Sequence, residues 1–384
     1  MPKKALLLCL LLSCLLFSLP IPVQALTASA SVPSVSAQSA ILIEADSGRV
    51  LFAKNADARL PMASTTKIMT ALVALELAPP DRVIQAPAGA VGVEGSSIYL
   101  VEGEALTLEQ LLYALLLESA NDAAAAIAIG LCGSVEAFAE EMNRKATELG
   151  LSDTHFTNPH GLDDDAHYTT ARELAAIARA ALEQELIRTI VSTQKATIPH
   201  ANVENARLLV NHNKLLRTYD GCIGMKTGYT KRSGRSLVSA AERDGVTLIA
   251  VTINAPNDWK DHTAMLDYGF SQCQSVELCQ AEDVLYPMQV VGGSDGYVMV
   301  GNTQALRVTL PANAGEITQS IECRRFEYAP IAVGDPCGKA VFRCDTDGDG
   351  QTEVIGEVAL YALYAVEQVR PQNKFLDWLA RLLS

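Results

Sequence analysis

Basic residues are scarce in this sequence relative to acidic ones. The 384 residues include 30 Lys and Arg against 44 Asp and Glu, which gives a formal net charge of −14. Because phosphates must be neutralised by positive charge, this balance excludes nucleic acid as an expected partner. Charged residues make up only 19% of the chain and hydrophobic residues 49%, which excludes a disordered chain. At roughly 100–200 residues per domain, the length of the chain predicts two or three globular domains.

A hydrophobic run long enough to cross a membrane is also lacking at the N-terminus. Residues 5–19 form an uncharged run of 15 residues, which as a helix reaches about 22 Å and falls short of the roughly 30 Å hydrocarbon core. Lys3 and Lys4 precede the run, and Val23-Gln24-Ala25 ends in a small-residue cleavage pattern. These features predict a signal peptide over residues 1–25 and an exported protein. Loss of the two lysines takes the net charge from −14 to −16.

Metal-binding motifs are missing as well. No two histidines have the H-x-x-x-H or H-E-x-x-H spacing, and the cysteines match no zinc template. His155, His160 and His167 stand near three aspartates at 163–165, but Pro159-His160-Gly161 is typical of a loop, so a metal peptidase is the weaker hypothesis. We therefore expect neither a metal nor a cofactor.

A calcium site is a second weak alternative. The segment Asp345-Thr346-Asp347-Gly348-Asp349-Gly350 imitates a calcium loop, but position 12 is Gly356 and the carboxylate of Glu357 comes one residue late. The flanking residues have strand patterns, so a hairpin turn is favoured over a calcium site.

The number of cysteines does not allow all of them to form disulfides within the chain. Two of the nine cysteines, Cys9 and Cys14, fall in the predicted signal peptide, and the seven that remain cannot all pair internally. We expect buried thiols with a few optional disulfides.

Hydrophobic patterns organise the rest of the chain. Residues 26–38 lack periodicity and are predicted to be a linker. Residues 39–44 and 49–52 flank Asp46-Ser47-Gly48 and predict a β-hairpin, and two more strands are predicted at 235–240 and 247–252. Apolar residues three and four apart predict helices over 64–77, 107–117, 123–131, 135–149 and 170–182.

Strands at both ends of residues 39–275 favour an α/β fold of the α+β type, with an antiparallel sheet flanked by helices and a helical subdomain. Residues 276–368 contain short alternating runs and predict a small β-rich domain. In residues 373–384 one helical face carries Phe375, Trp378, Leu379, Leu382 and Leu383. This amphipathic helix would be about 18 Å long, too short to span. We expect it to lie in a membrane interface, with packing on the preceding domain as the alternative.

The first motif with chemical meaning is Ser64-Thr65-Thr66-Lys67. Helix positions three apart share a face, so Lys67 would hold its amine beside the Ser64 hydroxyl. A lysine whose pKa is lowered by burial can take the proton of a serine and act as general base for that nucleophile. The alternative is an ordinary N-cap serine followed by a solvated lysine. A second match, Ser192 with Lys195, lies out of order and is interpreted as chance.

The second motif is Ser119-Ala120-Asn121. In a loop between two helices, Ser119 would relay a proton to a leaving amine, and Asn121 would hold a substrate amide and the Lys67 amine. The alternative is a helix-capping motif.

The third motif is Lys226-Thr227-Gly228. Lys226 and Thr227 would supply a positive charge and a hydroxyl to a substrate carboxylate, and Gly228 would let a substrate backbone approach the strand. The backbone N–H groups of Ser64 and Tyr229 would form an oxyanion hole. The alternative is a plain turn.

In this order the three motifs match those of class A β-lactamases and penicillin-binding proteins. The chain resembles the low-molecular-weight penicillin-binding proteins, which are serine D-alanyl-D-alanine carboxypeptidases, over about residues 39–270. Further matching stretches are 156–162, 211–216 and 224–230. The resemblance implies the DD-peptidase/β-lactamase-like fold, and a peptidoglycan stem peptide that acylates Ser64. It also implies inhibition by β-lactam antibiotics and a location at the outer face of the cytoplasmic membrane or in the cell-wall space.

Two other functions stay open at this point. One is a DD-endopeptidase that cuts cross-linked stems, and the other is a non-catalytic wall-binding scaffold with the same fold. The stretch 155–185 lacks the Glu-x-x-x-Asn pattern of a class A β-lactamase, which predicts slow deacylation of penicillin.

Overall fold

The computed structural model of this protein describes residues 31–201 and 206–369. The chain divides into two compact units between Cys273 and Gln274. The predicted signal peptide, the start of the predicted linker and the predicted C-terminal helix lie outside the described residues. Residues Val35 to Ala37, within the predicted linker, are packed: Asp261 accepts hydrogen bonds from the Ser36 and Ala37 N–H groups at 3.0 and 3.1 Å.

The first unit combines ten strands with eight helices among the described residues. The strands are β1 (Ser39–Glu44), β2 (Val50–Lys54), β3 (Val83–Gln85), β4 (Ala105–Thr107), β5 (Lys195–Ile198), β6 (Arg207–Val210), β7 (Cys222–Gly224), β8 (Thr227–Thr230), β9 (Gly234–Arg243) and β10 (Val246–Ile253). The helices are α1 (Lys67–Leu77), α2 (Leu108–Tyr113), α3 (Asn121–Cys132), α4 (Val135–Glu148), α5 (Ala171–Leu182), α6 (Glu185–Ser192), α7 (Leu215–Thr218) and α8 (Asp258–Gln272). Two 3-10 turns (Ala63–Thr66 and Ala88–Ala90) and a π-helical turn (Ala114–Glu118) complete the list.

The main sheet of this unit is antiparallel, as predicted. Its order is β2-β1-β10-β9-β7, and β8 also pairs with β9. The N-terminal strand β1 pairs with β10, placing Ser39 opposite Ile253, and the hairpins β1–β2 and β9–β10 are both present. The sheet is therefore assembled from the two ends of the unit, with the helices inserted between them.

Helices cover both faces of this sheet. In β1 the side chains of Ile41 and Ile43 join the large helical core, while Ala40 and Leu42 join a second core that includes Met265 of α8. Successive side chains of a strand point to opposite faces. Because both faces are buried, β1 has a continuous apolar sequence rather than an alternating one.

The predicted helix over 64–77 begins later than expected. Residues Ala63–Thr66 form a 3-10 turn, and α1 starts at Lys67. The hydroxyls of Thr65 and Thr66 donate to the carbonyls of Met62 and Ala63, three residues back, at 2.6 and 2.8 Å. Such side-chain bonds compete with α-helical geometry and favour a tight turn. Ser64 is consequently not an N-cap.

The second motif also differs from its predicted loop. The predicted helix over 107–117 is divided into α2, which Thr107 and Gln110 cap reciprocally, and the π-helical turn that precedes Ser119. Asn121 is the first residue of α3, and its N-cap Ala120 makes no side-chain capping bond. The capping alternative for Ser119-Ala120-Asn121 is therefore wrong.

The second unit contains a six-stranded sheet in the order β15-β17-β18-β13-β12-β16 and a β11–β14 pair. Its strands are β11 (Cys273–Cys279), β12 (Leu285–Val291), β13 (Tyr297–Asn302), β14 (Leu306–Pro311), β15 (Thr318–Cys323), β16 (Phe326–Tyr328), β17 (Pro336–Cys344) and β18 (Glu353–Ala362). The core lies on one face of the large sheet, where Met288, Val298, Val300 and Leu360 are buried.

The acidic segment between β17 and β18 forms a hairpin turn. Asp345 accepts hydrogen bonds from the N–H groups of Gly348 and Gly350 at 2.7 and 2.8 Å, as the hairpin interpretation predicts. All seven cysteines that the structure describes are free thiols, so the optional disulfides predicted from the sequence are not formed.

No single helix in the described ranges is long and apolar enough to cross a membrane. The consecutive helices α3 and α4 reach that length and composition only when taken together, and they are bent by 86°.

Candidate active site

Ser64 and Lys67 lie together in the tight turn that leads into α1. The Lys67 Nζ atom is 2.9 Å from the Ser64 Oγ atom, and the Lys67 side chain is completely buried. The alternative of a solvated lysine is therefore wrong.

The amine of Lys67 has three neighbours that fit its neutral form. It lies 2.7 Å from Asn121 Oδ1 and 2.6 Å from the His160 carbonyl oxygen, in addition to Ser64 Oγ. The two carbonyl-type oxygens can only accept, so they take two N–H donors. A neutral amine has two such donors and one lone pair. The lone pair is then directed at the remaining neighbour, the Ser64 hydroxyl, which can donate to it.

The surroundings of Lys67 favour that neutral state. Burial lowers the pKa of Lys67 well below its usual value of 10.5, and the positive charge of Lys226 lowers it further. The negative charge of Asp122 acts in the opposite direction but is the smallest of the three effects. Because no carboxylate hydrogen-bonds to the amine, burial dominates.

Asn121 is held rigidly at the start of α3. Its backbone N–H donates to the Ser96 carbonyl at 2.7 Å, and its side-chain Nδ2 donates to the Glu94 carbonyl. Gly95, with φ of +96°, lets the loop pass this close: a Cβ there would lie 2.7 Å from Nδ2. The amide orientation is thereby defined, and Oδ1 is left to face Lys67.

Ser119 occupies a strained position beside this network. Its φ of 61° lies in the left-handed region, which is uncommon outside glycine and clusters at functional sites. The residue is buried, but its hydroxyl makes no hydrogen bond to any described residue, including Lys67 and Lys226. The structure thus brings Ser64, Lys67 and Asn121 into direct contact and leaves the Ser119 hydroxyl unpaired.

Strand β8 forms the other wall of the cleft. Lys226 and Val238 exchange both backbone hydrogen bonds, at 3.1 and 2.9 Å, and Gly228 lies opposite Ser236. Hydrogen-bonded pairs alternate in an antiparallel ladder, so the N–H groups of Thr227 and Tyr229 face away from β9. Among the described strands nothing else pairs with that edge of β8.

Gly228 packs directly against the nucleophile. A Cβ built on Gly228 would lie 3.1 Å from the backbone N of Ser64 and 3.2 Å from the Met62 carbonyl. The glycine is therefore needed for the contact between β8 and the Ser64 turn, in addition to the predicted approach of a substrate. The backbone N of Ser64 therefore lies beside β8, whose unpaired edge carries the Tyr229 N–H. Ser64 N–H lies in the first turn, where it has no intrahelical acceptor.

Lys226 is the second buried lysine of the site. Its ammonium donates to the Thr227 carbonyl at 2.8 Å. Burial lowers the pKa of Lys226 to about 7, while the negative charge of Glu118 opposes that shift. Glu118 directly precedes Ser119, and its carboxylate accepts from the Val210 N–H at 2.5 Å and lies 3.3 Å from His212 Nε2.

Two parts of the site were missed by sequence reasoning. The His160 carbonyl is a ligand of Lys67, and Gly161 packs so tightly that a Cβ would lie 1.9 Å from the Ala63 carbonyl oxygen. The sequence predicts a loop at Pro159-His160-Gly161, within the family-matching stretch 156–162, but it predicts no contact between that loop and Lys67. A backbone acceptor has no sequence motif of its own, and the only sequence signal is the glycine at 161, which the structure places in the left-handed region with φ of +85°.

The three histidines of the metal-peptidase alternative have other contacts. His167 Nε2 lies 2.8 Å from Thr66 Oγ1, and its Nδ1 accepts from the Thr157 N–H at 3.1 Å. Burial lowers the pKa of His167 to about 4 and that of His160 to about 3. No group of three or more His, Cys, Asp or Glu residues in the described part of the chain is arranged to hold a metal ion.

The second serine–lysine match does not form a site. Ser192 ends α6 and donates to the Thr189 carbonyl at 2.9 Å, while Lys195 begins β5 and is exposed. Because the two residues lie in different elements, their spacing has no helical meaning.

Comparison with known proteins agrees with this geometry. A family model described as D-alanyl-D-alanine carboxypeptidase (peptidase S11) matches residues 26–257. The chain belongs to this family. The D-alanyl-D-alanine carboxypeptidase DacF of Bacillus subtilis is 31% identical over 358 residues, which cover 91% of this chain and 89% of the relative. DacA of Escherichia coli is 30% identical over 372 residues, covering 91% and 88% of the two chains.

Solved structures extend the likeness of the family fold to most of the chain. Penicillin-binding protein 5 of Haemophilus influenzae superposes with a TM-score of 0.65 at 28% identity, covering 88% of this chain and all of the other. The D-alanyl-D-alanine carboxypeptidase DacD of Francisella tularensis gives a TM-score of 0.62 at 26% identity, covering 91% and 98%. The predicted DD-peptidase-like fold is confirmed.

Proposed function

We propose that this chain is a serine D-alanyl-D-alanine carboxypeptidase that removes the terminal D-alanine from peptidoglycan pentapeptide stems through an acyl-enzyme on Ser64. The observation that carries this proposal is the buried Lys67 amine, which lies 2.9 Å from Ser64 Oγ and within hydrogen-bond distance of Asn121 Oδ1 and the His160 carbonyl oxygen. Membership of the family supports the substrate class.

In the acylation step Lys67 acts as general base. Its lone pair takes the Ser64 proton while Oγ attacks the carbonyl carbon of the penultimate D-alanine. The backbone N–H groups of Ser64 and Tyr229 stabilise the negative oxygen that forms. The C–N bond then breaks, and the leaving amine receives its proton through the unpaired Ser119 hydroxyl. Asn121 keeps the Lys67 amine oriented throughout.

Deacylation completes the cycle with water as the second nucleophile. Water attacks the ester carbonyl, Ser64 Oγ leaves and regains a proton, and the shortened stem is released. β-Lactams acylate the same serine as substrate mimics. Residues 155–185 lack the Glu-x-x-x-Asn pattern, so we expect the penicilloyl ester to persist.

Substrate recognition depends on the open edge of β8. The Lys226 ammonium and the Thr227 hydroxyl bind the terminal carboxylate, and the outward backbone groups of Thr227 and Tyr229 pair with the peptide as an added strand. Gly228 leaves no side chain between the strand and the Ser64 turn.

A cell-wall substrate places the protein outside the cytoplasm. We infer export by the signal peptide at residues 1–25, action in the cell-wall space, and attachment to the outer face of the cytoplasmic membrane by the amphipathic residues 373–384. The apolar face with Phe375, Trp378 and Leu382 favours insertion at the interface.

Covalent labelling tests the nucleophile. Ser64→Ala should abolish labelling by a fluorescent penicillin and release of D-alanine from a pentapeptide, with the free energy of unfolding changed by only about 0.5 kcal/mol. Ser192→Ala is the matched control, because it alters the other serine–lysine match, and it should label normally. Labelling of the Ser64→Ala variant would contradict the assignment. A cross-linked dimer offered in the same assay distinguishes carboxypeptidase from endopeptidase activity.

A further inference from the structure

The large sheet of the second unit has one uncovered apolar region. On the side of β12, β13 and β16 that faces away from the core, five large apolar residues are exposed: Leu285, Val291, Tyr297, Phe326 and Tyr328. We call these five residues the apolar sheet face. The two tyrosines are 60% and 64% exposed, and the other three about 40%.

The pairing register makes this face continuous. Gln289 of β12 lies opposite Tyr297 of β13 on one side and Phe326 of β16 on the other, and Val291 lies opposite Tyr328. The rings of Phe326 and Tyr328 are in T-shaped contact, with centroids 5.4 Å apart. None of the outward positions on these three strands carries a charged residue. Contiguous exposed apolar surface of this kind marks an interaction site.

The same sheet is polar on its other half. There Lys339 of β17 pairs with Glu357 of β18 at 2.7 Å and with Glu322 of β15 at 3.6 Å. Charged residues that form ion pairs are typical of the outward positions of a sheet face that contacts water. The absence of charge at the outward positions of β12, β13 and β16 is therefore a local feature and not a property of the whole sheet.

The chain leaves the described part of the structure beside this face. The Val369 N–H donates to the Gly292 carbonyl at 2.9 Å, directly after Val291. Three residues separate Val369 from Asn373, so the predicted amphipathic segment begins within about 14 Å of Val369. The last described residue, Val369, is thus held beside the strand end that carries Val291, and chain length limits how far residues 373–384 can extend from the apolar sheet face.

We propose that the apolar sheet face is a second lipid-contact surface, which lies on the same membrane interface as residues 373–384. This proposal rests on the membrane attachment inferred under the proposed function. A bilayer interface is extended enough to take both apolar surfaces at once. Tyrosine suits that location because its ring is apolar and its hydroxyl remains hydrated. With the signal peptide removed, the chain has a net charge of −16, so anionic lipid repels most of its surface. The uncharged apolar sheet face is therefore favoured for contact with the membrane.

Vesicle binding of the mature full-length chain tests the proposal. The probe is sedimentation with vesicles of phosphatidylethanolamine and phosphatidylglycerol, at low and high salt. Tyr297→Ser combined with Tyr328→Ser should weaken vesicle affinity about tenfold, at both salt concentrations, because apolar burial is lost. The matched control, Lys339→Ser with Glu357→Ser on the polar half of the same sheet, should bind as the unaltered chain does. Both variants should keep the circular dichroism spectrum and the cooperative thermal unfolding of the unaltered chain, which verifies that the second unit is folded, and both should keep full pentapeptide turnover.

Truncation separates this proposal from the attachment on which it rests. Removal of residues 373–384 should leave weak vesicle binding that disappears when the two tyrosine changes are added. If truncation abolishes binding and the tyrosine changes have no effect on the full-length chain, the sheet-face proposal is overturned and the helical attachment stands. If neither change reduces binding, both are overturned. A dimer in solution that the tyrosine changes convert to monomer would assign the face to self-association and overturn the lipid contact.

Discussion

The activity of this protein should fall on the alkaline side because Lys226 loses its proton there. Burial lowers the pKa of Lys226 to about 7, and only the charged ammonium attracts the terminal carboxylate of a stem peptide. Burial lowers the pKa of Lys67, the proposed base, well below its usual value, and loss of its proton favours the reaction rather than slowing it. Lys67 must be neutral and Lys226 must be charged for activity. The decrease of activity at alkaline pH, the alkaline limb of the pH profile, therefore reports the loss of the Lys226 proton alone.

The size of the decrease follows from that pKa. The protonated fraction of Lys226 is about one half at pH 7, about 9% at pH 8 and about 1% at pH 9. Because kcat/KM reports the ionisation of the free enzyme, it should fall about fivefold between pH 7 and 8, and about tenfold more by pH 9.

Release of D-alanine from a pentapeptide across pH 6 to 9 measures this limb. The matched substrate is the same peptide with a C-terminal carboxamide, which has no charge to recognise and should be cleaved slowly with no alkaline decrease. Glu118→Gln should move the limb to lower pH, because the negative charge that opposes the pKa shift of Lys226 is removed. Exposed Glu183, changed to Gln, is the control and should leave the limb in place.

A kcat/KM that stays constant to pH 9 with the free-acid peptide would refute the reasoning. So would an equal decrease with the carboxamide, since the titrating group would then act on the chemistry and not on the carboxylate.

Three further outcomes are expected. Gly161→Ala should slow penicillin acylation at least tenfold, because the added Cβ would displace the Ala63 carbonyl next to Ser64. The control Gly92→Ala has a similar φ and open space around it, so it should be acylated at the normal rate. Equal acylation rates for the two variants would contradict the packing argument. Asn121→Ala should lower the acylation rate with little change in peptide KM, measured by single-turnover labelling, and a pure KM effect would place Asn121 on the substrate alone. Burial lowers the pKa of His262 to about 3, whereas in the unfolded chain the same imidazole binds a proton below about pH 6.5. The free energy of unfolding should therefore fall as the pH is lowered from about 6.5 to about 3. His262→Gln should make this decrease smaller when the free energy of unfolding is measured by urea titration at each pH.

Local patterns were sufficient for much of the fold. The apolar periodicity predicted α3, α4 and α5 to within about two residues, and short apolar runs on either side of tight turns predicted the hairpins β1–β2 and β9–β10. The order of the three motifs was sufficient for the family. Such patterns are readable because side chains three or four residues apart share a helical face, and those two apart share a face of a strand.

Departures from the prediction arise where a local competitor overrides the periodicity. Nothing in the apolar pattern distinguishes the 3-10 turn at Ala63–Thr66 from the start of α1, because the difference depends on the hydroxyls of Thr65 and Thr66. The π-helical turn before Ser119 is a second example, since its apolar residues fit a continuous helix equally well.

The sequence by itself determined which side chains are available for chemistry: a serine and a lysine three positions apart, an asparagine, and a lysine-threonine-glycine strand. Only the tertiary structure decided the state of Lys67, because its acceptors come from residues 54 and 93 positions away and its burial comes from the packed helical core. The exposure of the apolar sheet face was likewise decided only by the tertiary structure. Alternation along β12 shows that both of its sides are largely apolar, but which side is covered depends on strands and a core that assemble from distant parts of the chain.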